Sequence, residues 1–274
     1  MIVDAHHHLW DPALADYPWM TEEVAAIRRR FGPEDLEPLL HEYGIDGTVV
    51  VQARGSVEET RWLLEIADAT PFVLGVVGWI DLTDADVARV LADFTGGRLV
   101  GIRHQVHDES DPAWLLRDDV QRGIAAVGEA GLAFDLLVRT AELPAATETV
   151  RRHSDIRFVL DHLAKPPVRE GDTAIWARGV AALADFPNVT CKLSGLVTEA
   201  DWSTWRAAGL SEYHRRAIEW FGAERCMFGS DWPVCLLAAE YGDVLELLLQ
   251  VLSGLGERER ADILGDTAAR AYEL

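Results

Sequence analysis

Eight short runs of apolar and β-branched residues recur along this chain, most of them starting roughly 25 to 35 residues apart. Nearly all are hydrophobic throughout, which is typical of strands in a parallel sheet that is covered on both faces. The runs are "MIVDAH" from Met1, "GTVVVQA" from Gly47, "FVLGVVGWI" from Phe72, "LVGIRHQV" from Leu99, "LAFDLLV" from Leu132, "RFVLDHL" from Arg157, "VTCKLSG" from Val189 and "RCMFGSDW" from Arg225.

The stretches between these runs carry helix signals. "PEDLEPLLHEYG" has Pro33 at its first turn and Gly44 at its end. "SVEETRWLLEIADA" opens with Ser56, and Glu59 follows at capping-box spacing. Eight alternating strand–helix units predict an α/β fold, a (β/α)8 TIM barrel. Because no low-complexity linker divides the chain, we expect a single domain over residues 1–274.

The first strand–helix interval is longer than the others. It contains an insertion from Asp11 to Phe31 that carries several aromatic residues. Since it follows the first strand, it would lie at the C-terminal end of the barrel, and we expect it to act as a lid.

Polar residues gather where the predicted strands end. In (β/α)8 barrels the chemistry lies at these C-terminal ends, and chance would scatter such residues over both ends. This clustering is the strongest indication of an enzyme. In strand order the residues are His6 and His8; Trp79 and Asp81; Arg103, His104 and His107; Asp161, His162 and Lys165; Lys192 and Ser194; and Asp231 and Trp232.

Three consecutive histidines stand in "DAHHHLW". They end an apolar strand and are followed by foldable sequence, which argues against a purification tag. Because alternate strand residues share a face, His6 and His8 are expected to point together into the barrel mouth. Two such imidazoles suit a divalent metal or a paired donor to a substrate oxygen. Hydrogen-bonded core histidines are the alternative, which His162 and Asp231 at equivalent positions make less attractive.

Asp231 lies in "FGSDWP". A carboxylate beside imidazoles is a natural general base for activating water, and the alternative is an aspartate that caps the turn before Pro233. We therefore expect Asp231, His162, His6 and His8 to be catalytic.

Further residues at the same end are candidates for substrate binding. Arg103, Lys165 and Lys192 would hold a carboxylate or polarised oxygens, with His104 beside them; solvated surface charge is the alternative. Trp10, Trp79 and Trp232 could form an apolar platform for a sugar ring or another flat ring, with core packing as the alternative.

The charge balance limits the partners. With 25 Lys and Arg against 46 Asp and Glu, the formal net charge is -21, which would repel nucleic acid and anionic lipid. We expect neither as a partner. No signal peptide is evident at the start, and three unpaired cysteines are consistent with a reducing cytoplasm. A homo-oligomer is left open.

Six motifs together resemble the amidohydrolase superfamily, specifically the amidohydrolase-2 type and its sugar-lactonase group, the L-fuconolactonase- and L-rhamnonolactonase-like enzymes. They span residues 3 to 272: "VDAHHHLWD", "GIRHQVHDE", "VLDHLAKP", "CKLSGL", "MFGSDWPV" and "ILGDTAARAY". The resemblance implies a distorted barrel in which His6 and His8 match the family's H-x-H pair, His162 its strand-6 histidine and Asp231 its strand-8 aspartate.

One departure from the family concerns the metal. Many metal-dependent relatives carry a ligand at the end of strand 5, whereas "LAFDLLVRT" offers neither a histidine nor a lysine. We therefore expect at most one divalent metal, Zn²⁺, on His6, His8 and Asp231, weakly bound or dispensable.

The resemblance implies hydrolysis of a sugar-acid lactone, such as L-fuconolactone or L-rhamnonolactone, by attack of water on the ring carbonyl with Asp231 as general base. A metal-dependent decarboxylase of the same superfamily is the second interpretation. A non-catalytic barrel that binds sugar acids is the third.

Overall fold

Each of the eight apolar runs contains a β-strand in the computed structural model, which describes residues 1–94 and 96–274. The strands pair in chain order, each parallel to the next. Their bounds are β1 (Val3–His7), β2 (Gly47–Val51), β3 (Val73–Gly78), β4 (Leu99–Gln105), β5 (Ala133–Leu137), β6 (Phe158–Leu160), β7 (Val189–Leu193) and β8 (Cys226–Phe228).

Backbone bonds between β1 and the segment after β8 bring the two ends of the sheet together. The His8 amide donates to the Trp232 carbonyl at 2.7 Å, and the Asp231 amide donates to the His6 carbonyl at 2.8 Å. The buried Asp4 carboxylate adds a second tie, since it accepts from the Ser230 amide at 2.9 Å and from the Tyr241 hydroxyl at 3.1 Å. The expected α/β barrel is thus confirmed. The pairing that closes it, between β1 and the segment after β8, is shorter than the ladders between the other neighbouring strands.

Helices pack around the barrel. The predicted caps are present: the Ser56 hydroxyl accepts from the Glu59 amide at 3.2 Å, and Gly44 ends its helix with φ 66°. The helices are α1 (Pro33–Tyr43), α2 (Val57–Ala69), α3 (Val87–Ala92), α4 (Asp118–Glu129), α5 (Leu143–Arg152), α6 (Ala174–Ala184), α7 (Leu196–Glu199), α8 (Ala207–Phe221), α9 (Tyr241–Leu252), α10 (Glu257–Ala261) and α11 (Thr267–Tyr272).

The insertion after β1 folds back over the C-terminal end of the barrel. Trp10 and Phe31 exchange backbone hydrogen bonds of 3.2 and 2.9 Å at its base. A 3-10 turn spans Glu22–Ile27, and the Trp19 indole donates to the Ala53 carbonyl at 2.9 Å. The insertion therefore lies at the position expected for a lid.

Two further observations concern the cysteines and the apolar character of the helices. Cys191, Cys226 and Cys235 are all free and buried, as expected of small core residues. Within residues 1–94 and 96–274, no helix has the length and apolar character needed to cross a bilayer.

Candidate active site

The histidines of β1 separate as strand alternation predicts. The Nε2 atoms of His6 and His8 lie 3.2 Å apart at the barrel mouth. His7 points the other way, and its Nε2 lies 2.9 Å from the Thr48 hydroxyl. The Nδ1 of His8 lies 2.8 Å from the Val51 carbonyl. Because a carbonyl can only accept, Nδ1 carries a proton, and Nε2 is the nitrogen that faces the site.

His162 lies on a turn of unusual handedness immediately after β6. His162, Leu163, Ala164 and Lys165 have φ values of 51°, 53°, 56° and 45°. This left-handed region is unfavourable for L-residues and is held only where the surroundings enforce it. Here the turn is buried, and the Leu163 carbonyl accepts from the Trp176 indole at 2.7 Å. The turn thereby fixes both His162 and Lys165.

Asp231 also has a left-handed backbone, with φ 57°. Its side chain is largely buried, and one carboxylate oxygen, Oδ1, faces all three imidazoles. The distances from Oδ1 to the Nε2 atoms are 3.4 Å for His8, 3.7 Å for His6 and 3.9 Å for His162. The four residues predicted to be catalytic thus converge on one point.

Two glycines make room for the imidazoles. A Cβ on Gly195 would lie 2.5 Å from Nδ1 of His162, and the residue has φ 67°. A Cβ on Gly229 would lie 2.7 Å from Cβ of His6. Both separations are below any real contact, so glycine at these positions is a condition for the observed ring placement.

The environment sets the charges of these groups. Burial lowers the pKa of His6 well below its ordinary value and that of His162 to about 4. Burial raises the pKa of Asp231, but His162, a hydrogen bond with His8 and the charge of Lys165 outweigh burial and hold it below its ordinary value. At neutral pH the site therefore presents a carboxylate to neutral His6 and His162 imidazoles.

The donor set fits a metal ion. Ligand atoms of a tetrahedral zinc site with bonds of about 2.0–2.1 Å lie about 3.3–3.4 Å apart. The triangle of His6, His8 and Asp231 has edges of 3.2, 3.4 and 3.7 Å. His6, Asp161 and His162 form a second, overlapping group with suitable spacing.

A buried chain of charges lies behind His6. Its Nδ1 is 3.4 Å from Asp161, whose carboxylate pairs with Lys192 at 2.9 Å. The Lys192 ammonium also pairs with Asp135 at 2.6 Å, and Asp135 accepts from the Tyr272 hydroxyl at 2.6 Å. The chain therefore runs from the reacting centre to α11.

This network corrects the expectation that Lys192 binds substrate. Lys192 is completely buried, because it belongs to β7 itself and lies one layer below the barrel mouth. Its partners are interior carboxylates rather than groups that face the opening.

Arg103 occupies an intermediate position. Its guanidinium donates to Asp161 at 2.9 Å and to the Gln52 carbonyl at 2.5 Å, and it lies 3.3 Å from Nε2 of His6. It is only 3% exposed, yet it lines the cavity at the barrel mouth. Arg103 is thus held from behind and offers one edge to a ligand.

A cavity of about 250 Å³, here named the reaction cavity, opens above Asp231. Sequence reasoning missed Arg139, which lies two residues beyond β5 and was within reach of the strand-end rule. Gln105 ends β4 and was within reach of the same rule, whereas Trp19 lies in the insertion, whose folding the strand pattern does not predict. The lining residues are His8, Trp19, Ala53, Arg103, Gln105, His107, Asp108, Leu137, Arg139, His162, Lys165, Asp231 and Val234.

A second cavity of about 240 Å³, the side cavity, adjoins it. Trp79 and His104 line this side cavity and not the reaction cavity, and their contact with substrate stays a prediction. Trp232 lines neither; it is 2% exposed and packs edge-on against Phe31 at 5.2 Å, because its backbone closes the barrel. Core packing was the right alternative for Trp232.

The model of the amidohydrolase family, type 2, matches residues 3–274. The chain belongs to the amidohydrolase family. The resemblance inferred from the six motifs is thereby confirmed.

Named relatives within the amidohydrolase family act on lactones. An L-fucono-1,5-lactonase of Burkholderia multivorans is 41% identical over 99% of this chain and 96% of its own length. An L-rhamnono-gamma-lactonase of Scheffersomyces stipitis is 26% identical over 89% of this chain and 80% of its own. A crystal structure of an amidohydrolase from Burkholderia multivorans with bound zinc has a TM-score of 0.96 and 39% identity, and the match covers 100% and 99% of the two chains.

These relatives favour lactone hydrolysis over the decarboxylase interpretation. The end of β5 agrees with this preference, because it presents Leu137 and Arg139 to the reaction cavity in place of a metal ligand.

Proposed function

We propose that this amidohydrolase hydrolyses a sugar-acid lactone, an aldonolactone such as L-fucono-1,5-lactone. The observation that carries the proposal is one carboxylate, Asp231, facing three imidazoles at the floor of a cavity with a cationic wall. The names of the relatives support the same substrate class.

The reaction follows from this arrangement. Asp231 accepts a proton from water, and the resulting hydroxide adds to the ring carbonyl carbon. The carbonyl oxygen takes up the negative charge, which the Arg103 guanidinium facing the cavity stabilises. When the ring C–O bond breaks, the leaving alkoxide receives the proton held on Asp231, and the product is the open hydroxy acid.

His6 and His8 orient the reacting groups and, with Asp231, would hold a divalent cation. When bound, such an ion would polarise the carbonyl and acidify water. His162 positions the carboxylate from the third side, and its Nδ1 lies 2.9 Å from the Ser194 hydroxyl, which fixes the ring plane.

The wall of the reaction cavity supplies the substrate contacts. Arg139 is exposed, and within residues 1–94 and 96–274 no ion pair occupies its guanidinium. Lys165 pairs with Glu199 at 2.7 Å and is oriented by that contact. We propose that Arg139 and Lys165 bind the ring hydroxyls, with Arg103 nearest the carbonyl.

We propose a single exchangeable Zn²⁺. Three ligands are in view and β5 offers no fourth, so metal analysis should find less than one equivalent, removable by dialysis against a chelator. A full equivalent that survives the chelator would contradict the proposal.

A lactone panel tests the function. Purified protein is mixed with L-fucono-1,5-lactone and its epimers, and acid release is followed with a pH indicator. We expect kcat/KM above about 10⁴ M⁻¹s⁻¹ for at least one lactone. CO₂ evolution from carboxylic acids without lactone turnover would favour the decarboxylase, and binding without either reaction would favour the sugar-acid binding barrel.

A further inference from the structure

The side cavity shares part of its wall with the reaction cavity. Trp19, Gln105 and Asp108 line both, so a ligand that reaches from Asp231 into the side cavity would have to pass over these three residues. The remaining walls come from the insertion, from the end of β4 and from the loops after β2, β3 and β4. They are Pro18, Arg54, Gly55, Trp79, His104 and Glu109.

The aromatic wall of the side cavity is rigid. The Trp79 indole donates to Nδ1 of His104 at 3.1 Å, and Nε2 of His104 lies 2.7 Å from the Glu109 carboxylate. Because an indole N–H can only donate, the histidine proton is on Nε2 and is given to Glu109. His104 also stacks on Trp114, with ring centroids 4.1 Å apart and planes 9° apart.

The neighbouring loop is shaped to this wall. A Cβ on Gly55 would lie 3.2 Å from the Trp79 ring, which is tighter than most real contacts. The loop after β2 therefore passes close to the indole and leaves its position fixed. A preformed aromatic surface binds a ligand without an ordering cost.

The chemistry of the walls is that of a carbohydrate site. Indole faces suit the C–H face of a pyranose ring, while the side chains of Gln105, Asp108, Glu109 and Arg54 offer hydrogen bonds to hydroxyls. Two carboxylates against one guanidinium disfavour an anionic group here. The reaction cavity, by contrast, holds the cations Arg103, Arg139 and Lys165.

We propose that the side cavity is a subsite for a second sugar ring, joined by a glycosidic bond to the aldonolactone in the reaction cavity. The inference rests on the proposed function and extends it to two-ring lactones. At about 250 and 240 Å³, each cavity alone is smaller than typical small-molecule pockets, which start at about 300 Å³. The two volumes taken together fall within that range.

The test compares one-ring and two-ring substrates. Two-ring aldonolactones, prepared by oxidising disaccharides with different reducing-end sugars, are assayed beside L-fucono-1,5-lactone in the wild type and in Trp79→Leu. Loss of one stacking contact should lower kcat/KM for the two-ring substrates about tenfold relative to the one-ring substrate, through KM. Trp62→Leu, which removes a half-buried indole from α2 outside both cavities, is the control and should leave the ratio unchanged.

A binding measurement separates the two proposals. Titration calorimetry with the two-ring sugar acids does not require turnover, and Trp79→Leu should weaken their binding by about the same factor. If one-ring lactones are hydrolysed but no two-ring lactone is, or if Trp79→Leu leaves the ratio and the binding unchanged, the subsite is overturned while the lactonase stands. If no lactone is hydrolysed, the lactonase is overturned and the calorimetry alone decides the subsite.

Discussion

Asp231 and His162 carry the proposed chemistry on backbone conformations that L-residues rarely adopt, with φ values of 57° and 51°. Strain of this kind costs of order 1–3 kcal/mol per residue and persists where neighbouring contacts enforce it. For Asp231 the contact is the bond from its amide to the His6 carbonyl at 2.8 Å. The residue is placed for reaction at the expense of stability.

Asp231→Asn should separate catalysis from folding. Asparagine tolerates a left-handed backbone and keeps the size of the side chain, but it cannot accept a proton from water. We expect turnover of the best lactone to fall by about 10²- to 10⁴-fold, while the melting temperature holds or rises. Near-normal turnover would mean that Asp231 only caps its turn.

Arg139 and Arg103 should respond differently to replacement by methionine. The exposed Arg139 has only ligand contacts to lose, so Arg139→Met should raise KM with little change in melting temperature. Arg103→Met leaves the buried Asp161 with one cation fewer, and breaking such a pair costs about 3–5 kcal/mol. Steady-state kinetics beside thermal melts decide this, and a KM effect confined to Arg103 would reverse the two roles.

The sequence predicted the placement of some site residues and not of others. Alternation along β1 predicted that His6 and His8 share a face, because the direction of a strand side chain depends only on its position along that strand. The depth of Lys192 within β7 and the packing of Trp232 depend on strand tilt and on the insertion, neither of which is local. The two residues were therefore assigned to the cavity wrongly.

Among the elements, the turn from β7 into α7 controls the position of His162. Gly195 begins that turn with φ 67° and leaves no room for a methyl group. Gly195→Ala should displace the imidazole and lower kcat by about 10²-fold or more, the usual effect of misplacing a catalytic group by about 1 Å.

Gly131→Ala is the matched control for Gly195→Ala. Gly131 has a similar φ of 76°, and no atom lies within 4 Å of the point that an added methyl group would occupy, so it reports backbone strain alone. If both variants lose the same stability and neither loses kcat, Gly195 has no role in positioning His162.

Element boundaries were predictable where capping chemistry marks them, as at Ser56 and Gly44. The side cavity was not, because Trp19, Trp79 and His104 come from the insertion, the loop after β3 and the end of β4. Composition at strand ends indicates that a loop residue is functional, but it does not indicate which of two adjoining cavities the residue faces.

For the whole molecule, buried titratable groups couple stability to pH. Burial lowers the pKa of His7 and His214 to about 3, so each binds a proton in the unfolded chain from its ordinary 6.5 downward but stays neutral when folded. Stability from these groups is present above pH 6.5 and is lost on acidification. Burial raises the pKa of Asp4 to about 6 and that of Glu59 to about 7, which has the opposite sign.

The effect of the buried histidines on the pH dependence of stability should exceed that of the buried carboxylates. His107 and His162, with pKa values lowered to about 2 and 4, act in the same direction as His7 and His214, and so does His6, whose pKa burial lowers well below its ordinary value. Asp135 joins the two opposing carboxylates. We expect the free energy of unfolding to fall between about pH 6.5 and 4, by about 1.4 kcal/mol per pH unit for each net proton.

His214→Leu tests this balance away from the site. His214 is 2% exposed in α8, and neither ring nitrogen bonds to another described residue. Its replacement should raise stability at pH 5 and flatten the acid limb measured by denaturant titration. The surface variant His41→Leu serves as control, and an equal effect of both would exclude burial as the cause.

The overall architecture was predicted from the spacing and hydrophobicity of eight apolar runs. These two features suffice to indicate buried parallel strands that alternate with helices. The single domain over residues 1–274, the cytoplasmic location, the absence of nucleic-acid and membrane partners and the oligomeric state stay predictions. These properties depend on the arrangement of surface residues and on the cell compartment. The net charge of -21 indicates only that the surface as a whole repels anionic partners.

The hydrogen bond from Tyr272 to Asp135 links the order of synthesis to activity. His6 is made 266 positions before Tyr272, and the charge chain behind His6 is complete only when Tyr272 has left the ribosome. At about 5–20 residues per second, that interval is roughly 13 to 53 s. Before Tyr272 emerges, Asp135 lacks the hydroxyl that completes the chain, so a nascent chain that already contains Asp231 would hold the catalytic residues in an unfinished, inactive barrel.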